Sequence, residues 1–178
     1  MRAKKLVLVL LLLPPLVLGT AFVIGWSLPE EHVVISQAVY AAPRDSVWAV
    51  VRDLGGVAAW RPDVKEVRRL PDRNGHPVWL EVGVTGEVPF VVTHLDSAGT
   101  MTVTVADPGL PFGGTWEYTV LAEGTGTRVR IRETGTIHPA LFRFLARTLF
   151  GYHSTMDAYL KLLGERFGET VVPEHLAR

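Results

Sequence analysis

Residues 100–106 read Thr-Met-Thr-Val-Thr-Val-Ala, and this alternation decides what kind of fold the chain makes. In an extended strand Met101, Val103 and Val105 fall on one side, and Thr100, Thr102 and Thr104 on the other. One face of the sheet is therefore wet and one is buried, the habit of antiparallel sheets. Working outward, strands are predicted at 64–70, 78–84, 87–95, 115–121 and 127–137, with turns at 72–75, 96–99 and 123–126. Asp107–Gly114, rich in Pro and Gly, reads as a loop. Further upstream, His32–Ala42 is rich in Val, Ile and Tyr and reads as a first strand. Pro43-Arg44-Asp45-Ser46 then opens a helix bearing Val47, Val50, Val51 and Leu54. Gly55-Gly56 ends it, and Val57–Trp60 makes a second short turn.

Downstream, Leu141, Leu145, Leu149, Tyr152, Met156, Leu160, Leu163 and Phe167 recur at helical spacing. They predict one long amphipathic helix from about Pro139, with Arg143, Arg147, Asp157, Lys161 and Glu165 on its wet side and a kink at Gly151. A sheet with one apolar face and a helix with one apolar stripe must cover each other. The fold class is α+β: a curved antiparallel sheet of about seven strands around a long C-terminal helix.

Composition narrows the function. The 178 residues contain no Cys, which excludes disulfides, thiolate metal sites and thiol nucleophiles. Balanced charge, 18 basic against 18 acidic side chains, lacks the basic excess of a nucleic-acid binder. An apolar fraction of 48% is too high for a disordered chain. The six His show no His-x-x-x-His spacing, so no metal is expected. Gly124-Thr125-Gly126 lies between strands and reads as a hairpin turn, no Gly-x-Ser-x-Gly occurs, and no cofactor is expected.

The charge is unevenly placed. Arg2, Lys4 and Lys5 precede Leu6–Trp26, a 21-residue run whose only polar side chain is Thr20. About 20 apolar residues span a bilayer as a helix, which predicts a transmembrane signal-anchor at 6–26. Residues 1–5 would then stay cytoplasmic and the domain would lie outside. Pro14-Pro15 is tolerated in such a helix, and Trp26 suits an interfacial anchor. Gly19-Thr20-Ala21 also fits a signal-peptidase site, giving a secreted domain as the alternative. Cleavage there would leave Phe22-Val23-Ile24-Gly25-Trp26 as a bare apolar end, which favours the anchor. Residues 27–31 read as a linker, 32–168 as the domain and 169–178 as a tail.

Ala42-Pro43-Arg44-Asp45-Ser46-Val47-Trp48 after a first strand, then Asp53 and Trp60-Arg61-Pro62, resembles the opening of the START-like superfamily. Gly126-Thr127-Arg128-Val129 before the last strand and the long final helix are similar too. This superfamily, also called SRPBCC or helix-grip, includes polyketide cyclase/dehydrase-like proteins. The resemblance covers roughly residues 32–168 and implies a deep, largely apolar cavity between sheet and helix. It leaves the role open among carriers, receptors and enzymes.

Strand phase supplies the candidate site. Val129, Ile131 and Glu133 share one face of the last strand, and Arg128, Arg130 and Arg132 the other. If Val129 and Ile131 face the cavity, so does Glu133, and an inward carboxylate needs a partner. Arg143, Arg147 and His153 are candidates for that pairing. By the same phase His94 joins Phe90 and Val92, and Tyr118 joins Trp116 and Val120. The candidate ligand-binding residues are Trp60, Phe90, His94, Trp116, Tyr118, Glu133, Tyr152 and Met156. The favoured reading is a membrane-tethered domain binding a small hydrophobic or amphipathic molecule, lipid or polyketide-like. The alternative is a cyclase/dehydrase-type enzyme using Glu133 with Tyr118 or His94 as acid and base. The arginine stripe reads as a solvated face.

Protease added to intact spheroplasts should digest the domain, and alkaline carbonate should leave the full-length chain in the membrane pellet. Protection would reverse the orientation; a shortened soluble product would convert the anchor into a cleaved signal.

Overall fold

A computed structural model describes residues 2–84 and 86–177, with side chains described from Leu10 onward. Met1, Thr85, Arg178 and the side chains of residues 2–9, Arg2, Lys4 and Lys5 among them, lie outside the described residues. The chain runs α1 (Arg2–Ser27), β1 (Glu31–Tyr40), α2 (Arg44–Val51), a 3₁₀ helix (Leu54–Ala59), β2 (Val64–Arg73), β3 (His76–Gly83), β4 (Gly86–Leu95), β5 (Thr100–Val105), β6 (Phe112–Glu123) and β7 (Gly126–Ile137). It closes with α3 (Ala140–Leu145), a π-helical turn (Ala146–Phe150), α4 (Ser154–Arg166) and β8 (Glu174–Leu176).

The strands form one antiparallel sheet of eight, ordered β2-β3-β4-β5-β6-β7-β1-β8. Its inner face carries Val129 and Ile131 of β7, Tyr118 and Val120 of β6, and Met101 and Val103 of β5. Met156, Leu160 and Leu163 of α4 pack on them and are fully buried. Burying each such side chain contributes about 1.5–3 kcal/mol. The Tyr40 hydroxyl donates to the Leu160 carbonyl at 2.9 Å, and the Glu169 carboxylate accepts from the amides of Ala41 and Ala42. These bonds fix both the height and the end of α4 on β1.

Several boundaries differ from the sequence reading. The tail adds β8 to the open edge of β1, making eight strands rather than seven. Part of the expected Asp107–Gly114 loop belongs to β6, which begins at Phe112. Of the expected linker, only residues 28–30 join α1 to β1. The kink expected at Gly151 is a full break of the C-terminal helix: the chain turns there, φ 76°, and of its two parts α4 packs in the core. Leu149 therefore leaves the stripe and is exposed.

Arg143, expected on the wet side, is buried. The reason is α1, whose last turn packs on α3. At Gly25 a Cβ would overlap the Ala140 carbonyl, so only glycine permits this approach. The Arg143 guanidinium donates to the Gly25 carbonyl at 2.9 Å, the His138 carbonyl at 2.6 Å and the Glu30 carboxylate at 3.0 Å. A cation on the last carbonyls of α1 also suits the negative end of its dipole. By length and composition Leu10–Ser27 is long and apolar enough to cross a membrane.

A polar network holds the tail. Ser36 donates to Asp157 Oδ1 at 2.9 Å, so its oxygen accepts the Nδ1 proton of His153 at 3.0 Å. His175 of β8 donates through Nε2 to Asp157 Oδ2 at 2.8 Å and stacks on His153, with ring centroids 3.8 Å apart. Burial and the neighbouring His175 hold the His153 pKa below its ordinary value, against the pull of Asp157 and Glu133. A histidine with a depressed folded pKa binds its proton more readily when unfolded. Stability is then complete at high pH and falls as pH drops below the unfolded value of about 6.5. Denaturant melts of the full chain in mild detergent should show this fall between pH 7 and pH 5. His153→Gln should flatten it, and an identical slope in the variant would remove His153 as its cause.

Candidate functional site

α4 covers only part of the inner face, and beside it lies a cavity of about 450 Å³. Trp79, Phe90, Val103 and Trp116 supply apolar wall from the sheet, while Phe150 and Tyr152 close the side facing the helices. Two clusters of ionisable side chains break this wall.

The first is built on β1 and β7. His32 pairs in register with Gly135, and Glu133 lies on the next inward position of β7. Glu133 also faces Trp116 across β6. The His32 imidazole leans over Gly135 and donates through Nε2 to Glu133 Oε1 at 3.1 Å. Trp116 Nε1 donates to Oε2 at 2.8 Å, so both carboxylate oxygens are engaged. A Cβ on Gly135 would sit 2.5 Å from the imidazole and 2.7 Å from Oε1, so glycine provides the room this pair occupies. Tyr152 stacks on His32 with centroids 4.2 Å apart and fixes the ring plane.

The second group is Arg61, Asp63 and Glu81. Arg61 grips Asp63 at 2.6 Å and Glu81 at 3.1 Å, and its guanidinium carbon lies 6.0 Å from the Tyr159 ring centre. Burial opposes charge at each member. For Asp63, the Arg61 hydrogen bond and charge outweigh burial and hold its pKa below the ordinary carboxylate range. For Glu81, burial, with Asp63 beside it, outweighs Arg61 and raises it. Burial likewise pushes the Tyr118 hydroxyl well above its ordinary value, with Tyr159 adding to the effect.

Of the sequence candidates, the structure brings Phe90, Trp116, Tyr118, Glu133 and Tyr152 to the cavity. Trp60 stands behind the wall, edge-on to Tyr159 with centroids 5.2 Å apart. Met156 is sealed in the core beneath α4. His94 is turned away because a β-bulge between Val92 and His94 reverses the strand phase; it is exposed and bonds Asp96 and Thr100 at the hairpin. Glu133 pairs with His32 rather than with Arg143, Arg147 or His153. His32 and the Arg61 group escaped the sequence reading. The alternation in His32-Val33-Val34 puts His32 in phase with buried Val34, a signal present but unused. On the outer face Arg128 pairs with Glu123, Arg130 with Gln37 and Arg132 with Glu117, the expected solvated stripe.

The fold has counterparts among solved structures. An aromatase/cyclase, Zhui, from Streptomyces sp. R1128 superposes with a TM-score of 0.59 at 16% identity, covering 76% of this chain and 93% of that one. A Thermus thermophilus protein gives 0.60 at 22% identity, covering 76% and 96%. Norcoclaurine synthase from Thalictrum flavum gives 0.58 at 14%, covering 78% and 87%. At these identities the likeness concerns the fold. No curated protein sequence matches the chain.

Because Glu133 satisfies two donors, its truncation and its neutralisation should differ. Glu133→Ala strands the Trp116 N–H and His32 and should cost about 1–3 kcal/mol in denaturant melts. Glu133→Gln retains an acceptor for Trp116, and a tautomer change in His32 accommodates the new amide, so its loss should stay below about 1 kcal/mol. Equal losses in the two variants would show that the pair contributes by charge alone.

The sequence of residues 31–161 matches the model of one family, described as polyketide cyclase/dehydrase and lipid transport, and the chain belongs to that family.

Proposed function

We propose that this domain binds a small amphipathic molecule, its apolar body against Trp79, Phe90, Val103 and Trp116 and its polar end at His32–Glu133. The observation that carries the reading is the cavity: about 450 Å³, apolar over most of its wall, with fixed hydrogen-bonding groups set into it. Ligand sites are commonly concave pockets of about 300–1,000 Å³ built in this way. The family description, which names lipid transport beside cyclase and dehydrase activity, supports the same class of ligand. Tethering by α1 to a membrane, with the domain outside the cytoplasm, completes the proposal. The docking of the last turn of α1 through Gly25 and Arg143 supports an uncleaved anchor, because removal at Ala21 would sever most of the helix that these contacts position.

An enzymatic reading is favoured by one specific feature, the His32–Glu133 pair held by Tyr152 and Trp116. An imidazole oriented by a carboxylate is the arrangement general acid–base chemistry uses. In that reading His32 takes the place first given to His94, and Tyr118, whose proton burial retains, serves only to shape the wall.

Native mass spectrometry of the full chain, extracted from its source membrane in mild detergent, should show a bound apolar molecule. Glu133→Gln should bind the recovered molecule about tenfold more weakly, equivalent to about 1.4 kcal/mol. Recovery of the molecule unchanged after prolonged incubation supports binding and carriage; a changed mass that requires His32 supports the enzyme. A chain that carries nothing and takes up no fluorescent fatty acid would overturn both.

A further inference from the structure

The segment linking β7 to α4 exposes large apolar side chains close together: Phe142 at 49%, Leu149 at 70% and Phe150 at 66%. Apolar surface of this kind on a folded domain marks a contact with something. Its position says with what. Phe150 and Ala146 also line the cavity, so this surface is part of the cavity rim. Arg143, one residue from Phe142, holds the end of α1 through the Gly25 carbonyl, and the neighbouring Trp26 is 74% exposed. From Ala140, which touches Gly25, to Leu149 is nine residues, at most about 14 Å along a helical backbone.

The strand registers add an independent observation. β1 begins and β7 ends beside α1. Phe112 pairs with Ile137 at this end, and the antiparallel order brings Val105 and Gly83 to it as well. All four residues line the cavity. The β3–β4 turn at this end carries Val84, 74% exposed. The cavity lining therefore reaches the α1 end of the sheet, where Val84 stands beside the partly exposed Asp63, whose carbonyl accepts from the Val84 N–H.

We propose that this rim, formed by Phe142, Leu149, Phe150 and Val84, rests in the headgroup–acyl boundary of the leaflet that α1 enters, so that the cavity opens directly onto lipid. The occupant of the surface is the bilayer. Apolar side chains beside the exposed Arg147 suit that boundary, where a guanidinium reaches phosphate while its neighbours enter the acyl region. The π-turn and the break at Gly151 separate this rim segment from α4, which stays fixed in the core. A ligand entering there would pass from leaflet to cavity without crossing water. The inference rests on the anchoring part of the proposed function.

The absence of cysteine makes the test simple. Trp26→Cys, Leu149→Cys and Ala98→Cys, each in the full chain, are labelled with an environment-sensitive nitrobenzoxadiazole dye. They are reconstituted in phosphatidylcholine vesicles containing phosphatidylcholine spin-labelled high on the acyl chain. Ala98 lies in the exposed β4–β5 turn at the far end of the sheet. The dye should lose most of its emission at positions 26 and 149 and keep it at 98. Quenching at 26 without quenching at 149 overturns the rim contact and leaves the anchor standing. No quenching at 26 overturns the anchor and the rim contact with it. Self-quenching between labels at 149, without lipid quenching, assigns the surface to a second copy of the chain and overturns the proposal.

Discussion

A helix of thirteen residues cannot cover an eight-stranded sheet, and the rest of this structure depends on that mismatch. Seven strand spacings of about 4.8 Å make a sheet about 34 Å wide before curvature, whereas a helix with its side chains is about 10–12 Å across. α4 is spent on β1, β7 and the adjoining part of β6, where Met156, Leu160 and Leu163 vanish into the core. The inner faces of β3, β4 and β5 still carry Trp79, Phe90 and Val103, where the 3₁₀ helix meets the Trp79 ring at Gly55 and the cavity remains beside it. Curvature and the rim segment close the gap only in part. The cavity is thus a direct result of element lengths.

An apolar cavity in which charges are already paired constrains its ligand. Arg61 is held by two carboxylates, and Glu133 is held by an imidazole and an indole. None of these groups needs a ligand to satisfy it, so the site carries little penalty from stranded polar atoms. A ligand gains affinity chiefly by burying apolar surface, and its polar end must compete with hydrogen bonds already in place. This favours molecules with a large apolar body and one modest polar group. It also explains why Tyr152 and Gly135 matter as much as Glu133: one fixes the imidazole plane, the other leaves the space it fills.

The sequence revealed the sheet and the inward phase of β6 and β7, because both strands alternate without interruption. It failed at His94, where one inserted residue reverses every later side chain, since periodicity carries no mark of a bulge. In the C-terminal helix it placed the kink at Gly151 but not the different surroundings on either side of it. Leu141, Leu145 and Leu149 keep the helical spacing of Met156, Leu160 and Leu163, yet the two halves face different surroundings across Gly151. Spacing reports that a stripe is apolar; it does not report what covers it. The Arg61–Asp63–Glu81 group was hidden for another reason. Its members come from the approach to β2 and from β3, and only the pairing of Val64 with Gly83 brings them together.

Arg143 shows how these failures connect. A buried cation costs several kcal/mol unless it is satisfied, and a helix pattern alone assigns such a residue to water. Here it accepts burial because α1 ends against α3 and leaves carbonyls that need donors. The same contact fixes α3 to α1, while the turn at Gly151 separates α3 and the π-turn from α4. On this segment Phe142, Leu149 and Phe150 are exposed. The joint between the N-terminal helix and the domain thus lies next to the exposed segment whose Ala146 and Phe150 border the cavity.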